Sequence, residues 1–133
     1  MTAQRETHPI EALAPVADTA ALRTAQHGVG RVFVHDALVA YIQRLVAETR
    51  KHPHAAFGAS PRGALGLMRA SQALAAIRGE RFVAPDHVKR LAPRVLAHRI
   101  VVQPRSRVQG IDGGRIVEDA LQRTPVPVAF EPA

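Results

Sequence analysis

The strongest constraint on the fold is an apolar pattern with helical spacing over residues 35–51. The repeating positions are Leu38, Ile42, Leu45, Val46 and Thr49. Side chains three and four residues apart share one face of an α-helix, so this segment predicts an amphipathic helix that buries one side. His52-Pro53 should end it, because the residue before a proline avoids the helical region of backbone conformation.

A shorter helix is predicted before this one, over residues 20–27. Asp18 and Thr19 are suitable N-caps, because their side-chain oxygens accept hydrogen bonds from the free N–H groups of a first helical turn. Gly28 and Gly30 are predicted to close the helix.

A third helix is predicted from Pro61 to about residue 78. Ser60 is a suitable N-cap, Pro61 is preorganised for the first helical position, and Gly79 is a suitable stop. The predicted buried stripe is Leu67, Met68, Ser71, Leu74 and Ala75.

A fourth helix should begin at Pro85, with Asp86 in its first turn, where a negative charge is favourable. Pro93 lies inside its apolar pattern, which predicts a kink or a break there. The predicted stripe is Val88, Leu91, Ala92, Val95 and Leu96.

Residues 103–114 have a loop-like composition, and Asp112 is a suitable cap for a last helix over residues 113–123. That helix should bury Ile116, Val117, Ala120 and Leu121. The expected fold is therefore an all-α bundle of about five helices, joined by short extended connectors at residues 31–34 and 81–83. It should occupy residues 18–128, between an extended lead-in at 1–17 and a tail at 129–133.

The composition leaves two interpretations of charge open. The net charge is +7, and 16 of the 18 basic residues are arginine. An arginine-rich surface is typical of nucleic-acid binding, but it also fits a solvated surface shaped by coding bias, which is the interpretation that the charge alone favours. The absence of Cys excludes disulfides and thiolate ligands. No apolar run approaches the about 20 residues of a membrane-spanning helix, so we expect no membrane association and a cytoplasmic location.

The sequence offers few candidates for catalysis or metal binding. Residues 58–63 have the glycine spacing of a phosphate-binding loop, but Ala64 and Leu65 replace the Lys and Ser or Thr that contact phosphate and magnesium. Arg62 would lie in a first helical turn, where it could bind an anion or simply be solvated. His52 and His54 lack helix-spaced carboxylate partners, so no metal site is expected.

The remaining candidates have simple structural explanations. We expect His35, His87 and His98 to cap helices or face solvent. Thr49-Arg50 and His98-Arg99 come at predicted helix ends, where a cation interacts favourably with the helix dipole.

Several sequence blocks together resemble the lid domain of MoxR-type AAA+ ATPases, in colinear order over residues 8–128. The specific blocks are Tyr41-Ile42, Leu45-Val46, Thr49-Arg50, His52-Pro53 and Gly58-Ala59-Ser60-Pro61-Arg62. Further agreement comes from Ala73-Leu74-Ala75, from residues 79–88, from Val95-Leu96-Ala97-His98-Arg99 and from Val126-Pro127.

The resemblance implies a role in nucleotide sensing. In such lids an arginine called sensor 2 approaches the γ-phosphate of ATP, and it maps here onto Arg62, with Ser60, Pro61 and Gly63 at the same helix start. ATP and Mg²⁺ would be held by a preceding AAA+ core domain that this chain lacks, so the chain alone should not be an enzyme. The implied partners are that core, neighbouring subunits of a hexameric ring and a protein with a von Willebrand A domain, in a chaperone or maturation complex.

One departure from the family pattern is Ala84, which replaces the usual Thr or Ser N-cap before Pro85 and should cost its helix about 1 kcal/mol. Two rival functions stay open from the sequence. A basic helical module could bind nucleic acid, or an adaptor could bind a protein partner without nucleotide.

Overall fold

The computed structural model describes residues 13–127, and within them it contains six α-helices, a 3₁₀ turn and two short strands. The helices are α1 (Thr19–Gly30), α2 (Asp36–Lys51), α3 (Pro61–Ile77), α4 (Pro85–Leu96), α5 (Pro104–Val108) and α6 (Gly113–Arg123). The 3₁₀ turn is Ala97–Arg99, and the strands are β1 (Ala55–Phe57) and β2 (Val101–Val102). Residues 1–12 of the predicted lead-in and the whole predicted tail lie outside the described residues.

The predicted all-α class is confirmed, and the core lies among four of the helices. α2 and α4 each pack against both α3 and α6. The α2 stripe predicted from the sequence is fully buried, and Tyr41 joins it with no exposed surface. Since the other large buried side chains are aliphatic apart from a few polar groups, the core is held together mainly by apolar burial.

The other predicted stripes are confirmed at their central positions. Leu67, Ser71 and Ala75 of α3, Val88, Ala92 and Leu96 of α4, and Ile116, Val117 and Ala120 of α6 are buried, whereas Met68, Leu74, Leu91, Val95 and Leu121 are half-buried. Gln72 was not predicted inside, yet it is buried. Its side-chain nitrogen donates to the Val32 carbonyl at 2.8 Å, which attaches the connector before α2 to α3.

Three local predictions are wrong, in whole or in part. α1 does not stop near residue 27 but includes Gly28 and ends at Gly30, and neither glycine adopts the positive φ of a glycine that closes a helix; in the described chain only Gly79 and Gly110 do. Of the kink or break predicted at Pro93, the break does not occur, because α4 continues to Leu96 and the Ala97 N–H bonds to the Pro93 carbonyl. The bundle has one helix more than expected, because α5 lies in the segment predicted to be loop.

The two predicted extended connectors lie side by side. Phe33 and Phe82 form a parallel bridge, with the Phe33 N–H bonded to the Arg81 carbonyl at 3.0 Å and the Val83 N–H to the Phe33 carbonyl at 2.9 Å. A second pairing was not predicted: β1 and β2 are antiparallel, with Ala55 opposite Val102. This small sheet fixes the chain that leaves α2 just before it enters α3.

α1 lies at the periphery of the bundle. It packs against α3 and contains no buried residue. Among the helices of residues 13–127, none combines the length and the apolar content that a bilayer crossing requires.

Candidate functional site

The candidate site is the start of α3, where Arg62 occupies the first helical turn. Its side chain is exposed, and within residues 13–127 the guanidinium has no hydrogen-bond or ion-pair partner. A free guanidinium can form two parallel hydrogen bonds to a phosphate or a carboxylate. Arg62 is therefore available to a ligand or a partner that approaches this end of the bundle.

The loop before α3 is held by the last turn of α2. The Thr49 hydroxyl accepts the Ala59 N–H at 3.0 Å, and the Arg50 Nε–H donates to the Ala59 carbonyl at 2.8 Å. Thr49 and Ala59 are both completely buried. The helix-dipole explanation expected for Thr49-Arg50 is therefore insufficient, because these side chains bind both polar backbone atoms of one residue across the loop.

Gly58 allows this contact. A Cβ at Gly58 would lie 2.5 Å from the Cα and the N of Arg50 and 2.6 Å from the carbonyl carbon of Thr49. Since such distances are far inside van der Waals contact, only glycine lets the loop lie directly against the backbone of α2. The glycine that resembles part of a phosphate-binding loop therefore serves packing.

The other predicted site residues have separate roles. Ser60 is the N-cap by position, but its side chain makes no capping hydrogen bond, and its carbonyl accepts the Gly63 N–H at 2.8 Å. Pro61 is the first helical residue, as predicted. Gly63 is buried, and a Cβ there would lie 3.2 Å from Leu96 Cδ2, so Gly63 lets α3 approach α4 closely.

Two further arginines surround the same helix start. Arg99 Cδ lies 3.6 Å from where a Gly63 Cβ would be, and its Nε–H donates to the Val95 carbonyl at 3.0 Å. Arg50 lies on the α2 side. In the described part of the chain, neither these two arginines nor Arg62 is paired with an acidic side chain. The positive charge around the start of α3 is therefore not neutralised locally, and it favours an approaching anion.

An apolar groove of about 440 Å³ runs from this site along the line between α2 and α3. Its lining includes Val39, Val46, Leu65 and Met68, and Arg50 and Pro61 also line it. The charged site thus continues into an apolar surface.

Two of the histidines bind backbone N–H groups at helix starts. Nδ1 of His35 accepts the Ala37 N–H at 3.1 Å, and Nδ1 of His87 accepts the Ala84 N–H at 3.0 Å, which confirms the predicted capping for these two. His98 is exposed, as expected. His52 is buried, and its Nε2 lies 3.4 Å from Asp119 Oδ2 on α6. This contact spans 67 residues of sequence, so no local pattern could indicate it.

The residues of this chain match known proteins along most of its length. Residues 47–120 match the AAA lid domain family. YeaC of Bacillus subtilis, an uncharacterized protein, is 37% identical over 128 residues, which are 96% of this chain and 40% of YeaC. The chaperone MoxR1 of Mycobacterium tuberculosis is 38% identical over 104 residues, 71% of this chain and 28% of MoxR1.

A solved structure agrees with these relatives. The crystal structure of a presumed ATPase from Cytophaga hutchinsonii has a TM-score of 0.73 and 27% sequence identity, and the match covers 80% of this chain and 34% of that one. The chain thus spans 40% or less of the length of each of these proteins. The family match over residues 47–120 includes the whole start of α3. The chain therefore belongs to the AAA lid domain family, and its relatives identify it as a lid of the MoxR type.

Proposed function

We propose that this chain is the sensor-2 lid of a MoxR-type AAA+ ATPase, in which Arg62 reads the γ-phosphate of ATP bound by the core domain. The observation that carries the proposal is the state of Arg62 itself. Its guanidinium is exposed and free of acidic partners among the described residues, in the first turn of a helix whose start is firmly held.

The expected contribution of Arg62 is electrostatic. Charge on the γ-phosphate oxygens is redistributed as the bond to the leaving group breaks, and a preorganised guanidinium stabilises that charge without reorganising. The core would hold ATP and Mg²⁺, while the lid supplies Arg62. Loss of the γ-phosphate would remove this contact, so the angle between lid and core would depend on the nucleotide state.

The surroundings of Arg62 support a lid that moves as a unit. Ala59 is bonded to α2, Gly63 is packed on α4, and both helices pack on α6. A displacement of Arg62 would therefore move the helices of the bundle together. We propose that the lid also contacts its own core and neighbouring subunits of a ring, and that the complete ATPase is a cytoplasmic chaperone or maturation factor. The relative named as a chaperone supports this last step.

The test is ATP hydrolysis by this lid joined to its nucleotide-binding core. Arg62→Ala should lower kcat by about 100-fold or more, the range seen when one preorganised transition-state donor is removed. Arg69→Ala is the matched control, because Arg69 is an exposed arginine on the same helix, two turns from its start. It should keep normal turnover.

Equal turnover in the Arg62→Ala variant and the wild type would contradict the proposal. If, in addition, duplex DNA bound with a steep salt dependence that required the basic residues, the nucleic-acid function would replace it.

A further inference from the structure

We infer that Thr49, together with Arg50, is a positioning residue for Arg62. The two side chains bind Ala59 and thereby set where the Arg62 guanidinium meets the nucleotide. The inference rests on the proposed sensor-2 function and adds to it a pair of residues on a different helix.

Thr49 and Arg50 together bind both polar backbone atoms of Ala59, and we call this pair of side chains the clamp. The Ala59 N–H goes to Thr49 Oγ1 at 3.0 Å, and the Ala59 carbonyl goes to Arg50 Nε at 2.8 Å. These bonds lie on the two sides of one Cα, so they fix the position of Ala59 and the direction of the chain through it. They join the end of α2 to the residue three positions before Arg62.

The chemistry of Thr49 suits it to hold Ala59. Its hydroxyl donates to the Val46 carbonyl at 2.7 Å, so the proton is committed and the oxygen is left to accept the Ala59 N–H. Valine has the same shape but cannot accept, whereas serine can. Because Thr49 is completely buried, its side chain cannot itself touch a nucleotide.

The connection from Ala59 to Arg62 is short and stiff. Ser60 is extended, and the ring of Pro61 fixes its own φ. Gly58 on one side lies against the α2 backbone, and Gly63 on the other lies against Leu96. A displacement of Ala59 would therefore displace Arg62 by a similar amount, because the residues between them have little conformational freedom.

The end of α2, which carries the clamp, is itself held by a contact with α6. α2 ends next to His52, whose ring is buried and lies 3.4 Å from Asp119 on α6. The last turn of α2 is thus held from its other side, and the start of α3 takes its position from the body of the bundle.

The experiment measures kcat and KM for ATP in the lid joined to its core, for Thr49→Val and Thr49→Ser. Thr49→Val should lower kcat about 10- to 100-fold, because a displacement of about 1 Å in a catalytic group can cost 100-fold. KM should change by no more than about twofold, because ground-state binding belongs to the core. Thr49→Ser keeps the acceptor and should restore most of kcat.

Thr124→Val is the matched control. Thr124 is also buried, and its hydroxyl donates to the Ala120 carbonyl at 2.7 Å, but it lies at the end of α6 rather than beside α3. Loss of the Thr124 hydroxyl should lower the melting temperature while leaving kcat unchanged. Equal kcat losses in Thr49→Val and Thr124→Val would mean that Thr49 acts only through stability, which would overturn the inference.

A double variant separates this inference from the proposed function. If Thr49 acts through Arg62, adding Thr49→Val to Arg62→Ala should cause no further loss of kcat. Losses that multiply would refute the positioning role and leave the sensor-2 role intact. An Arg62→Ala variant with full kcat would instead refute the sensor-2 role.

Arg50→Met keeps the test decisive if Thr49→Val fails to fold. Arg50 is exposed, so the substitution should leave the core intact while it removes the bond to the Ala59 carbonyl. We expect kcat to fall several-fold, and KM should also rise, because the substitution removes one of the positive charges around the start of α3. Wild-type kcat in a folded Arg50→Met variant, with Arg62→Ala impaired, would overturn the inference.

Discussion

The Thr49 hydroxyl accepts the backbone N–H of Ala59 at 3.0 Å, and this bond joins the end of α2 to the loop that starts α3. It explains why two separate sequence blocks belong together. Thr49-Arg50 provides the clamp, and residues 58–62 provide the loop that is clamped and the arginine that follows it. The two blocks form one structural unit at the candidate site.

Gly58→Ala should strongly destabilise the domain. The new Cβ would lie 2.5 Å from backbone atoms of Arg50, which cannot move away as a flexible side chain can. Overpacking of this kind costs about 1–3 kcal/mol, and a clash with backbone should reach the upper end of that range. Urea unfolding measures the change.

Gly28→Ala is the control for this substitution. It lies in the last turn of α1, and a Cβ there would have no neighbour within 4 Å. Replacing a helical glycine by alanine should stabilise the domain by about 0.5–1 kcal/mol. Equal changes in the free energy of unfolding for the two variants would contradict the close approach of Gly58 to α2.

Tyr41→Phe should be neutral or stabilising near neutral pH. The Tyr41 ring is completely buried, and its hydroxyl has no hydrogen-bond partner among the described residues. Leaving a buried polar group unsatisfied costs about 1–3 kcal/mol, so phenylalanine removes a penalty while filling the same space. A loss of more than about 1 kcal/mol in the free energy of unfolding, measured by thermal unfolding, would contradict an unpaired Tyr41 hydroxyl.

The same residue should make stability depend on alkaline pH. Burial raises the pKa of Tyr41 above its ordinary value of 10.0, so the folded state holds the phenolic proton more tightly than the unfolded state. The contribution of the protonated Tyr41 to the free energy of unfolding is complete below the pKa that this residue has in the unfolded chain. It is lost as the pH rises above that value and through the higher pKa of the folded state. The free energy of unfolding should therefore fall more steeply above pH 10 in the wild type than in Tyr41→Phe. Parallel curves would contradict this.

Ala84→Ser should stabilise α4. Ala84 is the N-cap of that helix and has no side-chain acceptor, whereas His87 accepts only the Ala84 N–H. A serine oxygen could accept an N–H of the first turn, worth about 0.5–1 kcal/mol. Ala84→Val offers no acceptor and should bring no gain in melting temperature. An equal effect of the two substitutions would mean that this end needs no further cap.

Local sequence patterns predicted the main helices because their determinants lie within a few residues. The α2 stripe, the Asp112 cap and Pro61 at the first position of α3 are of this kind. α5, at five residues, was too short to show a period. The strands have three and two residues and depend on each other across the chain.

The sequence selected the residues of the candidate site, but it could not predict the geometry in which they lie. The resemblance to a known lid selected Arg62, and the helical period placed Thr49 in the core. The bonds to Ala59 depend on how closely the loop approaches α2. Gly58 permits this close approach, but no local sequence pattern predicts it. The His52–Asp119 contact depends on α2 and α6 meeting in the fold.

The most direct test of the account is the ¹⁵N resonance of the Arg62 side-chain Nε–H, recorded for labelled lid joined to its unlabelled core. Spectra are compared with bound ADP and with a non-hydrolysable ATP analogue, and Arg69 serves as the internal reference. If Arg62 reads the γ-phosphate, its resonance should move between the two states while that of Arg69 stays in place. An Arg62 resonance that is identical with ADP and with the analogue would contradict the proposed sensor-2 role.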